Sequence, residues 1–506
     1  MLFNTSILKL QKPSILFVLA CILFYFAFAY NLVRTDYIKL ISLYVALFFL
    51  FYKIVEYNKN NFNFLTWIAF IFRAIFILAI PNLSQDFYRF IWDGQMLSIG
   101  FNPYLTTPDY QMSMGILSGF PNQMELYNGM GPLNASHFTN YPPINQLCFF
   151  IANLFPGKSI LSSVIGLRLL IIAADFGTLY FGKKLLKKLK LPAKNIFWYI
   201  LNPFIIIELT GNLHFEGVMI FFLVWSLYLL HTSKWKQAAV IFACSISVKL
   251  IPLMFLPLFF KYFRKGTDIV NVTKQSVSNN EITMSQDPHD INVSSSAVEK
   301  SLSKNKPLKS PENKDASTAL RRTKLITFYS IVGFTTLLLF LPFYSSQFVN
   351  NYAQTVGLWF QNFEFNASIY YIAREVGYWF RGYNEIAIIG SILPVLVILF
   401  IAYLALFKKN FTTKQLINSM LFAFVFYLFM STTVHPWYIA TILILSIFTN
   451  YKFPLVWSFV IILSYLAYVN IDKADKSENL YIIALEYFIV FTVFLYETLK
   501  RKSIEN

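Results

Sequence analysis

The stretch WIAFIFRAIFILAIPNLSQDFYRFIWDG, Trp67 to Gly94, joins two kinds of chemistry. Up to Pro81 it is apolar except for Arg73 and reads as a membrane span. From Ser84 onward it brings two aspartates, an arginine, a tyrosine and a tryptophan within eleven residues. Acids and aromatics at the mouth of a span predict a polar site held against the membrane surface.

Composition extends the first half of that reading to the whole chain. Of 506 residues, 57% are apolar, 19% aromatic and only 13% charged, about half the charge of a soluble protein. Many windows of eighteen or more residues carry few or no charges, as membrane helices require. The ten-residue alternation of a transmembrane barrel is absent. The predicted fold is all-α, a polytopic transmembrane helical bundle with outer-face loops and interfacial helices. The net charge of +17 does not point to nucleic acid, because Lys and Arg lie in short loops between spans, where they set orientation. Cys21, Cys148 and Cys244 are far apart in apolar surroundings and read as small core residues. The first span is followed at once by others and reads as a retained helix rather than a cleaved leader.

The basic loops predict the path through the membrane. Lys9 and Lys12 place the N-terminus in the cytoplasm, and spans follow at about 13–33, 37–55 and 63–81. Residues 82–158 then form a long outer loop, in which YPPINQLCFFIANLFPG, Tyr141 to Gly157, is too short to span and reads as an interfacial helix. The next span, 159–181, ends in KKLLKKLK, Lys183 to Lys190, a cytoplasmic marker suited to anionic lipid heads. Spans at 195–211 and 216–232 lead to AAVIFACSISVKLIPLMFLPLFF, Ala238 to Phe260. As a single span it would put the basic residues of 261–324 outside, so a re-entrant pair broken near Lys249 and Pro252 is expected. Residues 266–324, rich in Ser, Asn, Lys and Asp, read as a disordered cytoplasmic insertion between two parts of the core, 1–265 and 325–506. Spans at 325–343, 386–407, 415–433, 438–450, 454–470 and 479–498 bring the total to about twelve and leave the C-terminus in the cytoplasm.

This topology gathers polar residues on one surface. Asp86, Arg89 and Asp93 are spaced to share a helix face, with Tyr88 and Trp92 beside them. An acid at an aromatic-lined membrane surface suits a general base that takes a proton from an attacking hydroxyl. The competing local account is a helix start: Ser84 caps, Asp86 favours the positive end and Arg89 pairs with it. Asn212, His214 and Glu216, then Glu364, Asn366 and Arg374, then His435 in VHPWY, fall on the same side. His214 and Glu216 are too few for a metal site on their own, and His435 also fits an aromatic belt. Lys249 lies deep in an apolar run, where a charge is costly and marks function; there it would hold a phosphate. Arg168 and Asp175, seven apart, read as a structural pair or as partners of a neighbouring span.

The blocks SQDFYRFIWDGQMLSIGFNPY, YPPINQ, NPFIIIELTGNLHFEG, SVKLIPLMFLPLF, FEFNASIYYIAR and HPWY, in this order from Ser84 to Tyr438, resemble the GT-C superfamily of membrane glycosyltransferases. The likeness is to bacterial mannosyltransferase-type members related to glycosyltransferase family 87, which use polyprenyl-phosphate sugars. The resemblance implies inverting hexosyl transfer, with mannose the family-level sugar, from a polyprenyl-phosphate donor to a lipid or glycan acceptor. It implies a bacterial inner membrane, the active site on its outer face, and a role in cell-envelope glycan synthesis. It maps the catalytic base onto Asp86 and leaves Lys249, Arg374 and Arg89 to hold the donor phosphate. Asp93, Tyr88, Trp92, Asn212, His214, Glu216, Asn366 and His435 remain for sugar or acceptor. Family members often carry an acid beside the base where this chain has Gln85, so no metal ligand is assigned; a divalent cation stays open. The alternatives are a lipid or polysaccharide transporter, and a glycan ligase or polymerase of the cell envelope.

Overall fold

The computed structural model describes residues 5–116, 119–157, 159–265, 311–361, 363–470 and 478–505. Their regular secondary structure is helical, and Phe365 opposite Thr433 is an isolated parallel bridge rather than a strand. Among the described residues, seven helices are long and apolar enough to cross a membrane, including Tyr37–Tyr57, Ile160–Lys188 and Ile386–Leu406. Two further expected spans are the limbs of a bent pair, Pro203–Gly211 and Glu216–His231, which meet at 114°. Others are shorter: Phe62–Ile75 has 14 residues, roughly 21 Å at 1.5 Å per residue, less than the hydrocarbon core.

Short and bent helices expose carbonyls that lipid cannot satisfy. Arg168 resolves this at two helix ends at once. It donates to the carbonyls of Ile77 and Ala79 beyond the end of Phe62–Ile75, and to those of Thr210 and Gly211 at the bend. Of the two readings of Arg168 and Asp175, the pairing with each other does not form, and each finds partners on neighbouring elements. Asp175 instead binds Arg73 of the neighbouring helix at 2.7 Å, with both side chains fully buried, and Arg73 also donates to the Ile200 carbonyl. Removing one partner of a buried pair leaves an uncompensated charge, at a cost of about 3–5 kcal/mol. Arg73→Met should therefore melt well below the wild type in detergent, and Arg73→Met with Asp175→Leu should recover much of the loss. A single variant that melts with the wild type would show that the pair is not structural.

The expected helix dip is present. Helix Trp235–Val248 ends where Lys249 takes an extended conformation (φ −145°, ψ 141°), and the chain returns through Ile251–Leu258 and Phe259–Lys265. Phe242 meets Phe259 at 5.2 Å and Trp235 meets Phe263 at 6.1 Å, an antiparallel pairing that puts Lys249 at the tip. Pro252 and Pro257, which lack an N–H, break α-helical bonding on the return limb.

One boundary differs from expectation. Residues 311–324, taken with the disordered insertion, belong to a helix, Pro311–Phe340. The helix packs Phe328 against Phe259 and Phe263 at 4.8 and 5.0 Å, and its tertiary contacts extend it past the point where composition turns polar. The insertion's residues 266–310 lie outside the described residues.

Helix Pro143–Asn153, expected at the interface, lies against helix Asp86–Ser98. Phe149 stacks on Phe90 at 4.6 Å and 8°. Gly94 makes the approach feasible, because a Cβ there would sit 2.5 Å from the Phe149 carbonyl oxygen. The outward face keeps Leu147 and Leu154 exposed.

Candidate active site

Asp86 opens helix Asp86–Ser98 as its first residue. Its backbone N–H donates to the Ser84 hydroxyl at 3.3 Å. The expected local pairing with Arg89 is not made. Arg89 reaches along the helix to Asp93 at 2.8 Å and donates to the carbonyls of Asn134 and His137, while Gln146 donates to the second Asp93 oxygen. Arg89 and Asp93 thus tie helix Asp86–Ser98 to the segment at 134–146 and leave the Asp86 carboxylate to a different environment.

That environment is a cavity of about 780 Å³. Its polar end is lined by Asp86, Arg34, Asn134, Lys249 and His435, with Trp437, Tyr438 and Tyr465 beside them. Lys249 pairs with the fully buried Glu216 at 3.1 Å and sits over the Tyr141 ring at 5.2 Å. Its positive charge also acts on Asp86 and His435. From Lys249 the cavity continues as an apolar arm between the return limb and helix Ile386–Leu406, past Ile251, Met254, Leu393, Val397 and Ile401. Leu253 and Ile398, which line this arm, are 49% and 64% exposed, so the arm reaches the lipid-facing surface.

Burial pushes the Asp86 carboxyl above its ordinary value. Lys249 and a hydrogen bond from Asn134 pull the other way, Glu216 adds to the rise, and Arg34 opposes it. A base accepts a proton only as carboxylate, so a raised value moves the acidic limb of activity upward. The expected profile of kcat/KM loses activity on acidification with a midpoint above the ordinary 3.8. A limb at or below that value would mean that Asp86 is not the group titrating. His435 is held the other way: burial, then Lys249, lower it to about 3, so its imidazole is uncharged across the working range.

The other expected site residues divide by place. Glu216 and His435 join Asp86, Lys249 and Arg89 at or beside the cavity. Asn212 accepts from the Leu83 N–H, and His214 is buried against the Trp437 ring. Trp92 donates to Gln111, and Tyr88 packs on Phe87. Phe363 and Phe365 face the cavity, while Glu364 and Asn366 alternate away from it. Arg374 binds Glu364 at 2.9 Å, away from the lining. Asn366, at φ 47°, donates its backbone N–H to both carboxylate oxygens of Glu478, and its side-chain amide donates to Glu486. Among the described residues no three of His, Cys, Asp and Glu gather as a metal site.

Arg34, Asn134, Trp437 and Tyr465 were not picked out from sequence. Arg34 carried a signal, an arginine at the end of the first span that was expected to lie outside, where the charge bias disfavours it. Tyr465, which donates to the buried Glu208 at 2.8 Å, had none; its side of the helix depends on packing.

Comparison with known proteins finds similarity over the N-terminal part of the chain. Residues 25–263 match the model described as alpha-(1->6)-mannopyranosyltransferase, N-terminal domain. The chain is also similar to alpha-(1->6)-mannopyranosyltransferase A of Mycobacterium tuberculosis (strain ATCC 25618 / H37Rv), 23% identical over 188 residues, 37% of this chain and 34% of that protein. The match thus spans about a third of the length of this curated relative. No solved structure matches. The matched segment contains Asp86, Glu216 and Lys249. His435, Trp437 and the helix along the apolar arm lie beyond it, so the cavity is completed by the C-terminal half.

Proposed function

We propose that the chain is an inverting mannosyltransferase that takes mannose from a polyprenyl-phosphate donor and passes it to a glycan or lipid acceptor on the outer face of the membrane. The observation that carries this reading is the shape of the cavity, a polar end with an acid and cations continuing into an apolar arm that reaches lipid. A prenyl chain suits the arm, and its phosphate then lies beside Lys249, with Arg34 as a second cation. Asp86 takes the proton of the acceptor hydroxyl as the oxygen attacks the anomeric carbon. The bond from that carbon to the phosphate oxygen breaks, and its electron pair leaves with polyprenyl phosphate. Cations at the leaving phosphate stabilise the charge that develops there. Arg374, held by Glu364 off the cavity wall, is not used in this scheme.

The test is direct. Purified protein in lipid, given polyprenyl-phosphate mannose labelled in the sugar and a glycan acceptor, should release polyprenyl phosphate as the label moves to the acceptor. A transporter would move lipid without that release, and a ligase would require a preassembled glycan. Absence of release with acceptor present would overturn the reading.

A further inference from the structure

Four rings form a column in the cavity wall. His214 lies face to face with Trp437 at 3.7 Å between centroids and 19°, and Trp437 with His435 at 4.5 Å and 8°. His435 meets Phe365 at 5.4 Å and 29°. The column joins three segments distant in sequence: the bend at 212–215, the loop at 431–438 and the segment at 363–366. Its far end is fixed by backbone bonds, Phe365 N–H to the Thr432 carbonyl at 3.0 Å and Val434 N–H to the Phe365 carbonyl at 2.8 Å.

Because rings cover both faces of Trp437, the indole cannot serve as a platform for a sugar. What it offers the cavity is an edge; its Nε1–H, a group that only donates, has no hydrogen-bond partner among the described residues and is not closed off by them. Trp437 and His435 both line the cavity half-buried, and neither side chain makes a hydrogen bond to the described residues. The stack on His214 also fixes the direction of the N–H, since turning the indole would separate the column. With the prenyl chain in the apolar arm and the phosphate at Lys249, the donor's sugar lies between Lys249 and this wall. We propose that Trp437 is a specificity-determining residue for the donor sugar, its Nε1–H donating to one hydroxyl of the hexose next to His435. This rests on the reading of the cavity as a sugar-transfer site.

A site built to donate to a hydroxyl rejects the analogue that lacks it, because its own polar group is left unpaired. The experiment uses the full chain in lipid vesicles with the polyprenyl-phosphate hexose that the wild type turns over, and with its monodeoxy analogues. Wild type should lose roughly tenfold or more in kcat/KM on at least one analogue. Trp437→Phe keeps a ring in the column and removes the N–H. It should lose a similar factor on the natural donor and show no further penalty on that one analogue, while the penalties on the others persist. A uniform loss on all donors, or an unchanged pattern of penalties, would sink the assignment. The wild-type series decides even where the variant does not fold: if no analogue is penalised, no such hydrogen bond exists. Failure of the wild type to release polyprenyl phosphate would instead remove the proposed function itself.

Discussion

Asp86→Asn is expected to abolish transfer while leaving expression and donor binding close to the wild type. Asparagine keeps the size of the side chain and its place at a helix start, so a capping role alone predicts a mild change. It cannot take the hydroxyl proton, and loss of a general base costs about 10²–10⁴ in rate. The environment sharpens the contrast. Asp86 does not pair with Arg89, so the substitution breaks no ion pair with it, and Asn134 still has an oxygen to donate to. Asp93→Asn is a control of opposite character. It weakens the buried pair with Arg89, a carboxylate that ties helix Asp86–Ser98 to the segment at 134–146, so it should lower melting temperature more than turnover per folded molecule. Turnover of purified enzyme in lipid, with donor affinity measured separately, tests both. Retention by Asp86→Asn of more than about a tenth of the rate, less than the loss a base implies, would make the segment mainly a helix start.

Lys249→Met should cost roughly 10²–10³ in kcat, the usual loss for one group stabilising developing charge. It should also destabilise, because Glu216 is fully buried beside it and loses its counter-charge. The two effects separate in a double variant. If Lys249 serves only to neutralise Glu216, then Lys249→Met with Glu216→Gln restores both stability and turnover. If it holds the donor phosphate, the double variant recovers stability and remains slow. Recovery of near wild-type turnover would remove Lys249 from the chemistry.

The column of rings shows why sequence stops short of the site. HPWY was visible as a short aromatic motif, but its partners His214 and Phe365 are about 220 and about 70 residues away, respectively, and no local spacing signals such a stack. Likewise Arg374 and Asn366 were expected at the site, yet the alternation of 363–366 turns Glu364 and Asn366 off the cavity and Glu364 holds Arg374 away from it. Asp86 and Lys249 were recoverable because each breaks a local rule: an acid-aromatic cluster at the mouth of a span, and a lysine in the middle of an apolar run.

Sequence alone determined the class of fold and the break at Lys249. Apolar length, the cost of charge in lipid and proline's missing N–H act within a few turns of helix. Only tertiary structure decided which polar groups share the cavity. Asp175 could have met Arg168 on its own helix, but Arg73 takes it and Arg168 is drawn to four carbonyls left open by broken helices. Asp86 could have paired with Arg89, but Asp93 and two loop carbonyls take that guanidinium. Inside a membrane protein each buried charge and each open backbone group must find a partner. The choice among partners depends on which helices lie side by side, and that is a property of the whole bundle.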